Sequence, residues 1–246
     1  MGPFRVLVGI PAYNEADSLE PLMQKLDDLY HYGGLHVEVL FVDDGSRDAT
    51  LEMLQKAAAE RSFLNLIRHP RNQGLGAAMN TILGYAVSHL ESDDVLVTMD
   101  GDNTHDPAHV PAMIDRLKQQ GLDLVIASRF VPGGREFGLS LYRKLLSRGA
   151  SLFFRLFFPI PGVRDFSSGY RAYRIGFLRK AMLRWGQLVT VPGFECMAEI
   201  LAKCSRLGPK VAEYPLVLHY ELKHGPSKMR ILRTIGGYIA LLRKVG

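Results

Sequence analysis

Between residues 5 and 128, short apolar runs alternate with stretches of helical period. "RVLVGI" (5–10), "VEVLFV" (37–42), "FLNLI" (63–67), "DVLVTM" (94–99) and "LDLVIAS" (122–128) read as strands; 16–30, 48–60, 76–90 and 107–120 read as helices. Runs that are apolar throughout, rather than at every second residue, suit strands buried on both faces. Strand–helix alternation of this kind implies an α/β fold: a Rossmann-like, mostly parallel sheet with helices on both sides. In such sheets ligands sit beyond the carboxyl ends of the strands, so the residues just after each run are where chemistry is expected.

After Ser128 the rhythm breaks. Residues 129–138 read as a loop, 140–159 as an amphipathic helix capped by Ser140 whose aromatic side suits a membrane interface, and 160–174 as mostly loop. A helix is expected over 194–206, a strand over 210–222 and a basic amphipathic helix over 227–245. The expected organisation is one main domain over 1–222 with the C-terminal helix of 223–246 in the same compact unit. The net charge is +5, but it is uneven: the chain is acidic up to Ser128 and strongly basic after it. Neither a signal peptide nor a bilayer-spanning run of about 18 apolar residues is read. Cys196 and Cys204 match no disulfide or zinc pattern, which fits a reducing compartment. An acidic first half without a basic-aromatic module argues against nucleic-acid binding.

Three strand ends carry chemistry. "MDGDNTHD" (99–106) follows the fourth run, and an Asp-x-Asp there can bring two hard oxygen donors, Asp100 and Asp102, to one Mg²⁺ or Mn²⁺. The bland alternative is a solvated turn in which Asp106 caps the next helix. "VDDGSRDAT" (42–50) places Asp43 and Asp44 after the second run; a carboxylate there can hold a ribose or base, or merely cap a helix through Ser46 or Asp48. "PAYNE" (11–15) lacks the dinucleotide fingerprint G-x-G-x-x-G and offers instead a rigid Pro11, the aromatic face of Tyr13 and the acceptor Glu15. "RNQGLGAAMN" (71–80) could bring backbone N–H groups to phosphates, but it lacks the Lys-Ser/Thr of a kinase P-loop.

These motifs, together with "ASRFVPGG", "RKLLSRGAS", "DFSSGYRAYR" and "HGPSKM", occur in the order and spacing of the polyprenyl-phosphate glycosyltransferases. The chain resembles that family, in its inverting, family-two group with the GT-A fold, over nearly its whole length. The resemblance implies transfer of a sugar from a nucleotide donor to a polyprenyl phosphate at the cytoplasmic face of a membrane, with peripheral contact and a small membrane partner in some relatives. GDP-mannose is the favoured donor; a glucose or other UDP-sugar is the alternative.

The family pattern assigns Pro11, Tyr13, Glu15, Val42 and Asp44 to the nucleoside. It assigns Asp100, Gly101 and Asp102 to the diphosphate and its metal, with Asn103 as a further metal-site residue. Arg129 matches an arginine between donor and acceptor phosphates, Arg143 and Ser147 an acceptor-phosphate clasp, Asp165 and Arg171 a loop near the sugar, and Lys228 a lysine on the donor phosphates. Arg143 and Ser147, four apart, share one face of their helix, and a guanidinium can donate two parallel hydrogen bonds to a phosphate. The chain departs from the pattern at Leu222 and Ser205, where the family often carries arginines.

Overall fold

The computed structural model describes residues 4–138, 141–222, 236–238, 240, 241 and 245, with the side chains of 141–144, 146 and 222 outside that description. The first half forms as its apolar rhythm requires. Strands β1 (Arg5–Ala12), β2 (His36–Asp43), β3 (Leu64–Arg68), β4 (Val95–Thr98) and β5 (Leu124–Ser128) alternate with helices α1 (Ala16–His31), α2 (Thr50–Glu60), α3 (Leu75–His89) and α4 (Val110–Gln119). Successive strand residues point to opposite faces, and the core divides accordingly. Val6, Val8, Val39, Phe41, Val95 and Val97 meet α1, α2 and α4 on one face. Leu7, Leu40, Leu96, Leu124 and Ile126 meet α3 on the other.

The second half adds β6 (Arg135–Phe137), α5 (Leu141–Phe157), β7 (Arg171–Arg174), α6 (Ile175–Trp185), α7 (Cys196–Ser205), β8 (Val211–Pro215) and β9 (Val217–His219). The main sheet has seven strands in the order β3-β2-β1-β4-β7-β5-β8, and β6 pairs with β9 in a separate ribbon. All main-sheet pairs are parallel except those of β7, which runs antiparallel between β4 and β5. From β1 the chain moves outward to β2 and β3 and then returns to β4 on the other side of β1. That reversal makes the carboxyl ends of β1 and β4 the crevice where a ligand belongs.

Residues 160–174 are mostly loop, as expected, and end in β7. Three expectations are corrected. Residues 129–138 contain β6. The strand expected over 210–222 divides at Leu216 into β8 and β9, which join different sheets. The aromatic side of α5, expected to face a membrane, packs inward instead: Phe154 and Phe158 are buried in the core, and Leu145, Leu152, Leu156 and Phe157 are exposed. The Ser140 cap and most of the 227–245 helix lie outside the described residues. Of the C-terminal residues that are described, Leu241 and Val245 are buried in the core and Tyr238 sits edge-on to Phe154 at 4.8 Å.

Candidate active site

The loops after β1 and β2 are stitched together by polar side chains. Asn14 takes a left-handed φ of 52°, its backbone N–H donates to Ser46 Oγ, and its Oδ1 accepts from the backbone N–H of Arg47. Asp48, one of the two residues expected to cap α2, accepts from the backbone N–H groups of Thr50 and Ala16. The adjacent acids of the β2 end have different tasks. Asp43 folds back on the Ser46 backbone N–H. Asp44 accepts from the backbone N–H of Gln73 and Gly74 and pairs with His69 Nδ1 at 2.7 Å. Asp44 thus fixes the Gly-rich loop before α3 to the end of β2.

That loop meets a second wall. Gly76 donates its N–H to Pro192 O, and a Cβ on Gly76 would lie 1.9 Å from Val191 O, so only glycine permits the contact. The 189–195 segment is held by Glu199, a completely buried carboxylate of α7. It accepts from Thr190 N and Oγ1 and from Val191 N, and pairs with Lys203 at 2.9 Å.

Between the walls lies a cavity of about 560 Å³. Its lining includes Pro11, Tyr13, Glu15, Asp44, Asp100, Gly101 and Asp102 from the strand ends, Gln73 and Gly74 from the loop, and Pro192–Glu195 from the opposite wall. Seven of the residues expected from sequence therefore converge on one space. Val42 does not line it; the side chain is fully buried in the core beneath. Asn103, at φ 61°, accepts at Oδ1 from Lys25 Nζ at 2.8 Å and is not among the lining residues. Thr104 is the neighbour that touches the Asp-x-Asp pair, donating Oγ1–H to Asp102 Oδ1 at 2.6 Å. Asp106 caps the following turn, and Tyr170, its hydroxyl pushed well up by burial, donates to Asp106 O. His105 Nδ1 accepts the Asp100 N–H at 3.0 Å, which leaves the ring proton on Nε2.

A second polar centre stands at the end of β5. Arg129 donates Nε–H and Nη2–H to the two oxygens of Asp165 at 2.8 and 2.9 Å. Nη2 also reaches Ser167 Oγ at 2.6 Å and Ser147 Oγ at 3.3 Å, and Nη1 lies 3.6 Å from Glu136. Burial works against both charges of the pair. Their mutual attraction prevails, holding the Asp165 carboxyl below the usual range and the Arg129 guanidinium above it. Behind Asp165, Glu213 accepts the backbone N–H groups of Arg164 and Asp165, and burial raises its pKa.

Asp165 is completely buried, so its part is to orient Arg129. Arg171 is completely buried too. It donates to Phe166 O, Met197 O and the Tyr173 hydroxyl, which makes it a clasp between β7 and α7 rather than a sugar contact. The Arg143 side chain and Lys228 lie outside the described residues.

The segment 165–169 joins the two centres. Its first residue clamps Arg129, while Gly169 packs where a Cβ would be 3.1 Å from Asp100 Oδ1, and Gly169 O accepts from Thr98 Oγ1. The sequence reading gave no role to His69 or the Pro192–Glu195 wall, and placed Ser167 only within the loop near the sugar. Only the Pro-Gly break before α7 marked that wall in the sequence.

This arrangement agrees with what the whole chain matches. The profile of glycosyl transferase family 2 covers residues 7–181. The chain belongs to that family. As a family-two glycosyltransferase it is an enzyme, and its relatives sharpen the comparison. It is 34 % identical over 225 residues to the undecaprenyl-phosphate mannosyltransferase of Micrococcus luteus, covering 92 % of this chain and 87 % of that protein. It is 35 % identical to the dolichol-phosphate mannosyltransferase of Pyrococcus furiosus, over 92 % of this chain and 59 % of that one. It is 32 % identical to the polyprenol monophosphomannose synthase of Mycolicibacterium smegmatis, over 92 % and 81 %. Among solved structures, glucosyl-3-phosphoglycerate synthase of Mycobacterium tuberculosis with Mn²⁺, UDP-glucose and phosphoglyceric acid superposes with a TM-score of 0.70. That match covers 98 % of this chain and 80 % of the other at 20 % identity, and it shows the shared GT-A fold.

Proposed function

We propose that this family-two glycosyltransferase moves mannose from GDP-mannose to a polyprenyl phosphate, with inversion, at a membrane surface. One observation carries the reading: a carboxylate-lined cavity and a buried arginine–hydroxyl cluster stand at the same sheet edge, joined by the five residues 165–169. A transfer between two anionic substrates needs two such centres. The names of the three relatives supply the sugar and the acceptor class.

The residues present fit a divalent cation. Asp100 and Asp102 both line the cavity. Among the described residues no group of three His, Cys, Asp or Glu converges. A site of two carboxylates, completed by substrate phosphates and water, is how Mg²⁺ is commonly held at nucleotides. Asp100 and Asp102 would hold Mg²⁺ or Mn²⁺, whose chemistry there is neutralisation of the departing diphosphate.

The protein's own groups do the rest. Pro11, Tyr13, Glu15 and Asp44 receive the nucleoside at the ends of β1 and β2. Ser147, Ser167 and the Arg129 edge receive the acceptor phosphate; the family pattern adds Arg143 to that clasp and assigns Lys228 to the donor phosphates. An ionised phosphate is already a nucleophile near pH 7, since its second pKa is about 6. Orientation and charge stabilisation therefore matter more than a general base. The walls of the cavity limit water, which would otherwise compete as acceptor.

The exposed stripe of α5 supports peripheral membrane contact. Leu145, Leu152 and Leu156 recur at helical spacing beside the exposed Arg148 and Arg155, a pairing suited to an interface with anionic lipid. Among the described residues no helix is long and apolar enough to cross a membrane.

The test is incubation of the enzyme and Mn²⁺ with labelled GDP-mannose or UDP-glucose and a short polyprenyl phosphate. Mannosyl-phospholipid formed from GDP-mannose is the expected product. Product from UDP-glucose alone would replace the donor assignment, and no lipid-linked product from either would remove the acceptor class.

A further inference from the structure

Glu195 has no structural task that explains its position. It occupies the N-cap of α7, yet its side chain makes no capping hydrogen bond. Its backbone carbonyl closes the first turn by accepting from the Glu199 N–H, which any residue could do. The side chain is nevertheless kept inside: Glu195 is 3 % exposed, and Oε2 has no hydrogen-bond partner among the described residues. A buried carboxylate oxygen without a donor is costly.

The fold reserves room for it. A Cβ on Gly193 would come within 2.5 Å of Oε2, and one on Gly237 within 2.8 Å of Cγ. The neighbouring Tyr238 hydroxyl is pushed up to about 12, by burial first and by the Glu195 charge next. Glu195 also lines the cavity that Asp100 and Asp102 enter from the opposite side.

Three ligand chemistries could meet such a group. A metal shared with the two aspartates is excluded among the described residues, because no three acids converge. A phosphate would be repelled by the carboxylate. Neutral hydrogen-bond donors remain, N–H groups of the base or O–H groups of the sugar; with the base assigned to the ends of β1 and β2, the sugar hydroxyls are left for Glu195. We propose that Glu195 is a specificity residue whose carboxylate accepts hydrogen bonds from hydroxyl groups of the donor's hexose. This deepens the proposed function and rests on it. An unmet acceptor inside a sugar site discriminates strongly, because a donor sugar that lacks the matching hydroxyl leaves the charge buried and unpaired.

The experiment measures Kd for GDP and for GDP-mannose, each with Mn²⁺, on the wild type, Glu195→Gln and Glu195→Ala. A GDP-deoxymannose series follows on the wild type and the alanine variant. GDP affinity should stay within about 2-fold, while GDP-mannose weakens by about 10-fold or more in Glu195→Ala, the loss typical of one charge-assisted hydrogen bond. One deoxy donor should bind the wild type poorly, yet bind Glu195→Ala as well as GDP-mannose does. Ligand-free Glu195→Gln should melt at or above the wild-type temperature, since Oε2 has no hydrogen bond to lose; a group placed for stability would lower it.

Equal losses for GDP and GDP-mannose, no loss for either, or a full deoxy penalty retained in Glu195→Ala would each overturn the assignment. If the wild type binds UDP-glucose and not GDP-mannose, the mannose reading falls, and the same comparison with UDP and UDP-glucose still decides the role of Glu195. If it binds no nucleotide sugar, both fall together.

Discussion

Asp165→Ala, with Arg129 left in place, tests the second centre most directly. The Asp165 carboxylate is completely buried and the Arg129 side chain is 11 % exposed, so solvent screens the pair little. The carboxylate takes three hydrogen bonds from Arg129, at 3.2, 2.8 and 2.9 Å, and three more from Ser167 and Ser168, at 3.2, 3.1 and 3.1 Å. Removing one partner of a buried pair costs about 3–5 kcal/mol, because the other charge stays behind unpaired. At about 2–4 °C per kcal/mol for a chain of this size, a cost of about 4 kcal/mol lowers Tm by roughly 8–16 °C.

The double variant Arg129→Met, Asp165→Leu removes both charges and should regain most of that loss, since apolar replacement of a buried pair is often close to neutral. Turnover should stay down by about 10²-fold or more in the single and double variants alike, the scale of one lost charge-stabilising donor. Thermal melting and labelled-sugar transfer read the two effects separately. The sign with pH follows from the lowered Asp165 pKa. The stability it contributes is complete above the unfolded value of about 3.9 and fades as pH falls through the lower folded value. The gap between wild type and Asp165→Ala should therefore be flat from about pH 5 to 8 and close only in stronger acid. A loss under about 1 kcal/mol, or a double variant no more stable than the single, would refute the buried-pair reasoning. Near-normal turnover by the double variant would remove Arg129 from the chemistry.

Asp102→Asn keeps an acceptor for Thr104, so melting should hold to within about 1 kcal/mol while the Mn²⁺-dependent thermal shift by GDP disappears. A retained shift would contradict the metal assignment. Gly76→Ala pushes a methyl toward Val191 O and should cost about 1–3 kcal/mol in urea titration, with a raised donor KM as the two walls part. Leu152→Glu with Leu156→Glu alters residues that are 57 % and 68 % exposed. It should leave melting within about 0.5 kcal/mol for each change and sharply reduce co-sedimentation with anionic vesicles. Glu213, whose pKa is raised mainly by burial, binds its proton more tightly in the folded chain, so its contribution weakens as pH rises through the ordinary glutamate range. Glu213→Gln should accordingly gain stability relative to wild type between pH 4 and 7 in paired melting curves.

The parts of this fold that could be read from sequence are those whose burial leaves an apolar run. Strands β1 to β5 did so, and the Asp-x-Asp and Asp-Asp pairs were placed correctly by following directly behind them. Strand β7, "RAYR", left no such run: the buried Arg171 guanidinium is satisfied by the carbonyls of Phe166, five residues earlier, and of Met197 in α7. The apolar spacing of α6 (Ile175, Phe177, Leu178, Ala181) was in principle legible. Helix α5 shows another limit. It carries apolar residues nearly all round, so periodicity alone could not say whether the phenylalanines or the leucines meet the protein. Phe154 and Phe158 went inward against the core, and Phe157 stayed outside with the leucines. Val42 could not be separated from true lining residues, because a strand end and the core beneath it differ by one residue of register.

The antiparallel β7 accounts for how an acidic half and a basic half build one site. The carboxyl ends of β4 and β5 carry Asp100 and Arg129, but between those strands runs β7. A parallel strand would bring its amino end, and the loop before it, to the opposite edge of the sheet. Running the other way, β7 starts at the ligand edge, with Arg171 opposite Thr98 on one side and Ile126 on the other. The loop that enters it, 165–169, must then lie between the two centres, with Asp165 on the arginine and Gly169 against Asp100. The reversal of one four-residue strand thus sets the distance between the carboxylate-lined cavity and the Arg129 centre. A residue inserted between Ser167 and Gly169 should disturb transfer more than it disturbs binding of either substrate alone.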